Sequence, residues 1–197
     1  MDYITENEIS AIVKRVLDKT GSTSQSINPA PAVSSPSEPS CDTVSKKIVA
    51  IGCDHGGLEL KNILIQYITE LGHKIIDCGT NSKESVDYPD FALAVAEKVR
   101  NKEACRGIVI DGAGIGSCMA ANKVPGIRAA MCYDYATANN SREHNNANVL
   151  SLGAGLLGIN QAKLVVKTWL EVPFAGGRHA NRVDKITQIE KRFSKEG

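Results

Sequence analysis

The run Ile108-Val-Ile-Asp-Gly-Ala-Gly-Ile-Gly116 constrains this chain more than any other segment. A short apolar stretch ends in a carboxylate, Asp111, and passes straight into Gly112, Gly114 and Gly116 before a helix-like segment begins. That order describes a buried parallel strand, a tight loop and a helix N-terminus. Glycine lets the backbone approach a ligand closely and adopt positive φ. The loop N–H groups and the positive end of the helix then face negative charge. A carboxylate beside such a nest suits proton abstraction with stabilisation of the resulting anion.

Around this run, short β-rich stretches alternate with helical patterns. The strands are expected at Ile48–Gly52, Lys74–Cys78, Gly107–Asp111, Ala129–Cys132 and Val149–Leu152. The helices are expected near Leu58–Leu71, Phe91–Arg100, Gly116–Lys123, Tyr135–His144, Gln161–Leu170 and Val183–Ser194. Alternation of this kind implies right-handed crossovers and a parallel sheet covered on both faces. Ligands then bind at the carboxyl ends of the strands. Asp54 and His55 follow the first strand, Asp87 and Tyr88 the second, and Asp111 the third, so polar residues converge on one edge.

Composition narrows the function. A net charge of +1 argues against nucleic acid as a partner, which demands a basic face. No apolar run approaches the ~18 residues needed to span a bilayer. The N-terminus opens with acids and lacks an apolar h-region, so no secretory signal is expected. The six cysteines form no C-x-x-C pair, which disfavours structural zinc and predicts free thiols in a reducing cytosol.

Three zones follow one another. Residues 46–197 read as the globular body. Residues 21–45 are rich in Ser and Pro, with Pro29, Pro31, Pro36 and Pro39, and read as a disordered linker. Residues 1–20 carry one apolar helical stripe, Ile9, Ile12, Val13, Val16 and Leu17. Thr5-x-x-Glu8 is a capping box, and acids at the start with bases at the end match the helix dipole. A helix this short is marginal alone, so its apolar face needs a partner.

Of the four histidines, His73 sits between a helix and a strand and reads as a surface loop residue. His55, His144 and His179 stand beside Gly, Asn or Arg in predicted loops. A lone histidine is more often structural, but three in such settings favour proton transfer. Arg178 and Arg182 share a helix face at i, i+4 and suit a phosphate, or form a solvated basic patch. The glycine loop also invites a dinucleotide reading, but its spacing is not G-x-G-x-x-G and it does not follow the first strand.

With these residues in view, 47–192 resembles the ribose-5-phosphate isomerase B family, which includes the galactose-6-phosphate isomerase subunits. The resemblance rests on Gly-Cys-Asp-His-Gly-Gly (52–57), Asp-Tyr-Pro (87–89), the glycine loop with Ala-Ala-Asn-Lys (120–123), Arg-Glu-His-Asn-Asn-Ala-Asn-Val (142–149) and Gly-Gly-Arg-His-x-x-Arg-Val (176–183). It implies a Rossmann-like five-stranded parallel sheet with helices on both faces. It also implies a homodimer or tetramer with shared active sites, and no metal or organic cofactor. The implied reaction passes through a cis-enediolate, with Asp111 as the base and His144, assisted by Asp54, opening the sugar ring. The resemblance places His55, Arg178 and Arg182 on the phosphate and Tyr88 and Asn145 beside the sugar. The glycine-loop amides, from Gly112, Ala113, Gly114, Gly116 and Ser117, would meet the enediolate oxygen.

The chain departs from the family at three points. Asp111 stands where many members have a cysteine base, and Ser117 where others have a glutamate base. Ala113 replaces a Thr or Ser, and Gly155 replaces a phosphate-site arginine. The reading is therefore an isomerase of ribose 5-phosphate, with two alternatives: an isomerase of another pentose or hexose phosphate, or a non-catalytic sugar-phosphate binder. The N-terminal helix resembles the encapsulation peptides that direct enzymes into bacterial microcompartments. A cytoplasmic enzyme, with a shell protein as the partner of residues 1–20, is expected. A helix packed on its own body, or a dimerisation arm, is the competing reading.

Overall fold

A computed structural model describes residues 48–194 and, ahead of them, Arg15 alone. The expected N-terminal helix (1–20) and linker (21–45) therefore lie outside the described residues. The chain divides into two units, Met1–Glu38 and Pro39–Gly197, and the second holds every element below.

Five strands form one sheet: β1 (Ile48–Cys53), β2 (Lys74–Asp77), β3 (Arg106–Asp111), β4 (Ala129–Met131) and β5 (Val149–Gly153). All pairings are parallel, in the order β2-β1-β3-β5-β4. Six helices connect and flank them: α1 (Leu58–Glu70), α2 (Tyr88–Arg100), α3 (Ile115–Ala121), α4 (Tyr135–Glu143), α5 (Ile159–Glu171) and α6 (Arg178–Phe193).

Side chains alternate across the strands and feed two cores. Val49, Ile51, Ile108, Ile110, Leu150 and Leu152 face α1, α4 and α5, where Leu64, Ile68, Val165, Val166 and Trp169 are buried. Ala50, Val109 and Val149 face α2 and α3, meeting Ala92, Val95, Ala96 and Ala121. Apolar residues on both sides of each central strand produce the continuous hydrophobic runs seen in the sequence.

Two helix starts differ from expectation. α2 begins at Tyr88 rather than Phe91, because Pro89 stands in its first turn, where a missing N–H costs nothing. α6 begins at Arg178 rather than Val183, because Gly176 and Gly177, at φ 63 and 53, turn the chain sharply just before it. The thiol expectation also changes. Cys53, Cys78, Cys118 and Cys132 are free, whereas Cys105 is disulfide-bonded.

The strand order reverses between β1 and β3, since the chain leaves β1 towards β2 on one side and returns to β3 on the other. In open α/β sheets the crevice at such a point is where ligands bind. Here its two walls are the loops carrying Asp54–His55 and Asp111–Gly116.

Candidate active site

At the carboxyl edge of the sheet, Asp54 caps a single 3-10 turn, His55–Gly57. Its Oδ1 accepts the N–H groups of Gly56 (2.9 Å) and Gly57 (3.1 Å). His55 projects from that turn, exposed, and its Nδ1 accepts the Val86 N–H at 3.2 Å. Nδ1 therefore carries no proton, and Nε2–H is left pointing outward as a donor.

Asp111 ends β3 and is 5% exposed. Its Oδ1 accepts from the N–H groups of Ala113 (2.8 Å) and Gly114, and its Oδ2 from the N–H of Ser117 (2.9 Å). Burial pushes its pKa up, but the Ser117 side chain and the three amides outweigh that and hold it below the usual carboxylate value. Asp111 is thus an ionised group wrapped in its own loop. Gly114, at φ 80, allows the wrap and packs against the β5 backbone, where a Cβ would come within 2.9 Å of the Gly153 nitrogen. Three of the amides expected to meet an enediolate, those of Ala113, Gly114 and Ser117, are committed to Asp111 instead. In the first turn of α3, Cys118 donates to the Gly114 carbonyl, which leaves the N–H groups of Ile115 and Gly116 without partners among the described residues.

Tyr88 closes this region from the α2 side. A Cβ on Gly116 would lie 2.5 Å from the Tyr88 ring carbon Cζ, so the ring rests directly on the glycine loop. On the opposite side the Gly155 N–H bonds to the Gly112 carbonyl at 2.9 Å. The sequence thus correctly brings Asp54, His55, Tyr88, Asp111 and the loop 112–117 together.

The other expected residues stand elsewhere. Helices in this fold run antiparallel to the strands, so α4 starts beyond the carboxyl end of β4 and stops at the amino end of β5. His144, its C-cap, and Asn145 are therefore at the amino edge, the length of β5 away, roughly 17 Å. α5 returns the chain to the same edge, where the Ala175 N–H bonds to the Glu143 carbonyl. Arg178 and Arg182 follow, exposed, on the first turns of α6.

These residues form a second group. The His144 ring stacks on His179 at 4.1 Å, with the planes 5° apart. The Nδ1 of His144 lies 2.9 Å from Asn140 Nδ2. Arg142, 2% exposed, donates to Asn146 Oδ1 (3.0 Å) and to the Ala147 carbonyl, while Arg128 Nε donates to the Asn146 carbonyl (3.0 Å). Together they close the turn after His144, in which Asn146 is left-handed at φ 48. Burial, and the charges of Arg106 and Arg128, lower the Arg142 pKa to about 9. Burial, then His144, Arg178 and Arg182, lower that of His179. The sequence named His179 as a candidate but gave it no role. Its place between Arg178 and Arg182 in one motif was the available signal.

A groove of about 700 Å³ runs between β4 and α6, lined by Ile127, Ala129, Ile186, Ile189 and Phe193, and of the expected residues it holds Asn145 alone. Among the described residues no three His, Cys, Asp or Glu side chains group as metal ligands. No described helix is long and apolar enough to cross a membrane.

Known proteins resemble this chain. Residues 49–186 match the family described as Ribose/Galactose Isomerase. The chain belongs to the ribose/galactose isomerase family. Its relatives include the ribose-5-phosphate isomerase B of Escherichia coli K12, 45% identical over 74% of this chain and 98% of that protein. The D-erythrulose-4-phosphate isomerase of Pectobacterium atrosepticum is 40% identical over 72% of this chain and 94% of its own. The solved ribose-5-phosphate isomerase B of Clostridium thermocellum superposes with a TM-score of 0.74 at 53% identity, covering 75% of this chain and 99% of that one. As a family member the chain is an isomerase with a Rossmann-like fold, and residues 1–48 lie outside the family match.

Proposed function

We propose that this isomerase interconverts an aldose phosphate and a ketose phosphate through a cis-enediolate, with ribose 5-phosphate and ribulose 5-phosphate as the leading pair. The observation that carries the proposal is Asp111: an ionised carboxylate at the end of β3, in the crevice between β1 and β3, roofed by Tyr88 and flanked by Asp54 and His55. Held below the usual carboxylate pKa, it is in the basic form at neutral pH. It removes the proton beside the carbonyl and returns it to the neighbouring carbon. The Ile115 and Gly116 N–H groups are the donors left over for the enediolate oxygen. His144, with Asp54, opens the sugar ring. Asn145 and Tyr88 hold the sugar, and His55 Nε2–H, Arg178 and Arg182 hold the phosphate.

These roles need two protomers. The base and the ring-opening histidine sit on opposite edges of one sheet, so a single site combines the carboxyl edge of one copy with the amino edge of another. A homodimer is the smallest assembly that does this.

A second reading of Asp111 has its own observation: both carboxylate oxygens already accept backbone N–H groups. In that reading Asp111 shapes the loop and does not touch the reacting carbon. Isomerisation of ribose 5-phosphate in deuterated water separates the possibilities. An isomerase incorporates solvent deuterium at C1 of the ribulose 5-phosphate formed and at C2 of the ribose 5-phosphate recovered after equilibration, and a non-catalytic binder does neither. Asp111→Asn that loses exchange while inorganic phosphate still competes normally identifies the base. Joint loss of exchange, phosphate competition and thermal stability identifies the loop shaper.

A further inference from the structure

Lys61 is the chemical oddity of the body: a lysine whose side chain is fully buried, on the second turn of α1, outside the groups already assigned. Its Nζ meets both oxygens of Asp77 (2.9 and 2.8 Å), the Thr80 carbonyl (3.0 Å) and Asn81 Oδ1 (3.3 Å). Asp77 in turn accepts the Gly79 N–H at 2.9 Å. Buried ion pairs contribute little net stability, because desolvation offsets their attraction, and a well-packed apolar residue often replaces them without loss. What such a pair does supply here is a fixed position for the chain leaving β2. A Cβ at Gly79 would come within 2.8 Å of Lys61 Cδ, so this backbone is seated directly on the lysine.

The anchored segment leads to the site. Thr80 Oγ1 accepts the Ser82 N–H, and Ser82 Oγ accepts the Glu84 N–H, so short turns carry the constraint forward. The Lys83–Glu59 pair (2.7 Å) ties the same loop to α1, but both partners are exposed and add little. Two residues on, the Val86 N–H meets His55 Nδ1, and Tyr88 lies over Gly116.

We propose that Lys61 is a positioning residue for phosphate recognition: by anchoring residues 77–81 it aims the Val86 N–H at His55 Nδ1, which fixes the imidazole as the Nε2–H tautomer and presents that proton to the substrate phosphate. The proposal rests on the reading of His55 as a phosphate ligand. In the other tautomer the Nδ1 proton would oppose the Val86 N–H and Nε2 would turn a lone pair towards the phosphate, exchanging a donor for a repulsive contact.

The test uses the full chain, ribose 5-phosphate and inorganic phosphate. In Lys61→Met, KM and the phosphate inhibition constant should each rise about tenfold, the scale of one hydrogen bond to a charged group. kcat should stay within about twofold, since an interaction equal in ground and transition states is lost. Nitrogen-15 NMR should show His55 passing from the Nε2–H form to a mixture of tautomers. In a His55→Gln background, Lys61→Met should add no further loss, because it acts through His55. Unchanged His55 signals, or losses that add in the double variant, would overturn the proposal. If Lys61→Met does not fold, Asp77→Asn breaks the same anchor and must give the same tautomer change and phosphate effect; an unaltered tautomer there overturns it equally. If His55→Gln leaves phosphate competition intact, His55 is not the phosphate ligand, and the NMR result still decides whether Lys61 sets its tautomer.

Discussion

In the crevice at the carboxyl edge of the sheet the buried acids are Asp54 and Asp111, and backbone N–H groups satisfy them, while the buried Lys61 nearby is matched by Asp77. At the amino edge the buried charge is cationic. Arg142 has no carboxylate partner among the described residues, and its bonds go to an amide oxygen and a carbonyl. It lies over the Trp169 ring at 5.7 Å, Arg106 lies over the same ring at 6.0 Å, and His179, Arg178 and Arg182 add to the same edge. A pre-ionised base needs amides that stabilise its charge. A group that receives a dianionic phosphate needs positive charge left unneutralised by acids. Neither edge alone can hold a sugar phosphate and move its proton, and the difference between them is the argument for combining them across two copies.

The sharpest way to break this comparison is complementation. Asp111→Asn and His144→Ala should each lower turnover by ~10²–10⁴ and ~10²-fold, the scale of general acid–base catalysis. Mixing them by co-expression should restore roughly a quarter of wild-type activity. About half of random dimers are then mixed, and each mixed dimer holds one intact site and one doubly defective site. No recovery in a correctly assembled mixture would place both residues in one protomer's site, against the topology. His144→Ala should also harm a cyclising sugar phosphate more than an analogue fixed in the open-chain form; equal losses would make its role structural.

A smaller effect separates binding from chemistry. Arg182→Ala should raise KM by about tenfold and weaken competition by inorganic phosphate, since one charged hydrogen-bonding partner is removed. Arg178 and the His55 N–H stay on the phosphate in this variant, so the loss should be partial rather than complete. Unchanged phosphate competition would remove Arg182 from the site.

The two edges should also fail at different pH. The His179 pKa is lowered on folding, so the unfolded chain binds the extra proton. Stability should therefore begin to fall as pH drops below about 6.5, the ordinary histidine value. Asp111 is also lowered, so its contribution is present above the ordinary aspartate value of about 3.9 and disappears only as pH falls through its lower folded pKa. Thermal melts from pH 8 to 3 should show the first slope vanish in His179→Gln and the second in Asp111→Asn. Identical profiles in all three proteins would mean that neither group is coupled to folding.

All five strands and the carboxyl-edge group were legible in the sequence, because each strand is a compact apolar run followed at once by its polar loop. The wrapping of Asp111 was not. Nothing in Asp-Gly-Ala-Gly says whether the amides of the loop turn outward to a ligand or inward to the carboxylate, since glycine permits both. The amino-edge group was legible as motifs but not as a place. The resemblance gave His144 a role without an edge, and the edge follows only once the helix is placed between two parallel strands, where it must end opposite the crevice. Lys61 was invisible, because a lysine four residues into a helix looks like any solvated one until burial is known.

The least expected effect concerns the first 45 residues. Deleting them should leave kcat unchanged and the oligomer intact, and residues 1–20 fused to a fluorescent protein should enter shells when microcompartment proteins are co-expressed. Ile12→Glu in the fusion should abolish that by charging the apolar stripe. A diffuse fusion, or a truncated chain that falls apart, would make the segment an assembly arm.

The contact between Tyr88 and Gly116 bears on how such an enzyme diversifies. With the ring where it is, even a methyl group at position 116 has no room. A single substitution there therefore asks the tip of the exposed Tyr88 ring to swing aside, which loosens the roof of the crevice before it changes the pocket. The residue at 88 thus sets how large a residue position 116 can take, and a library built to retarget the enzyme should vary the two positions together.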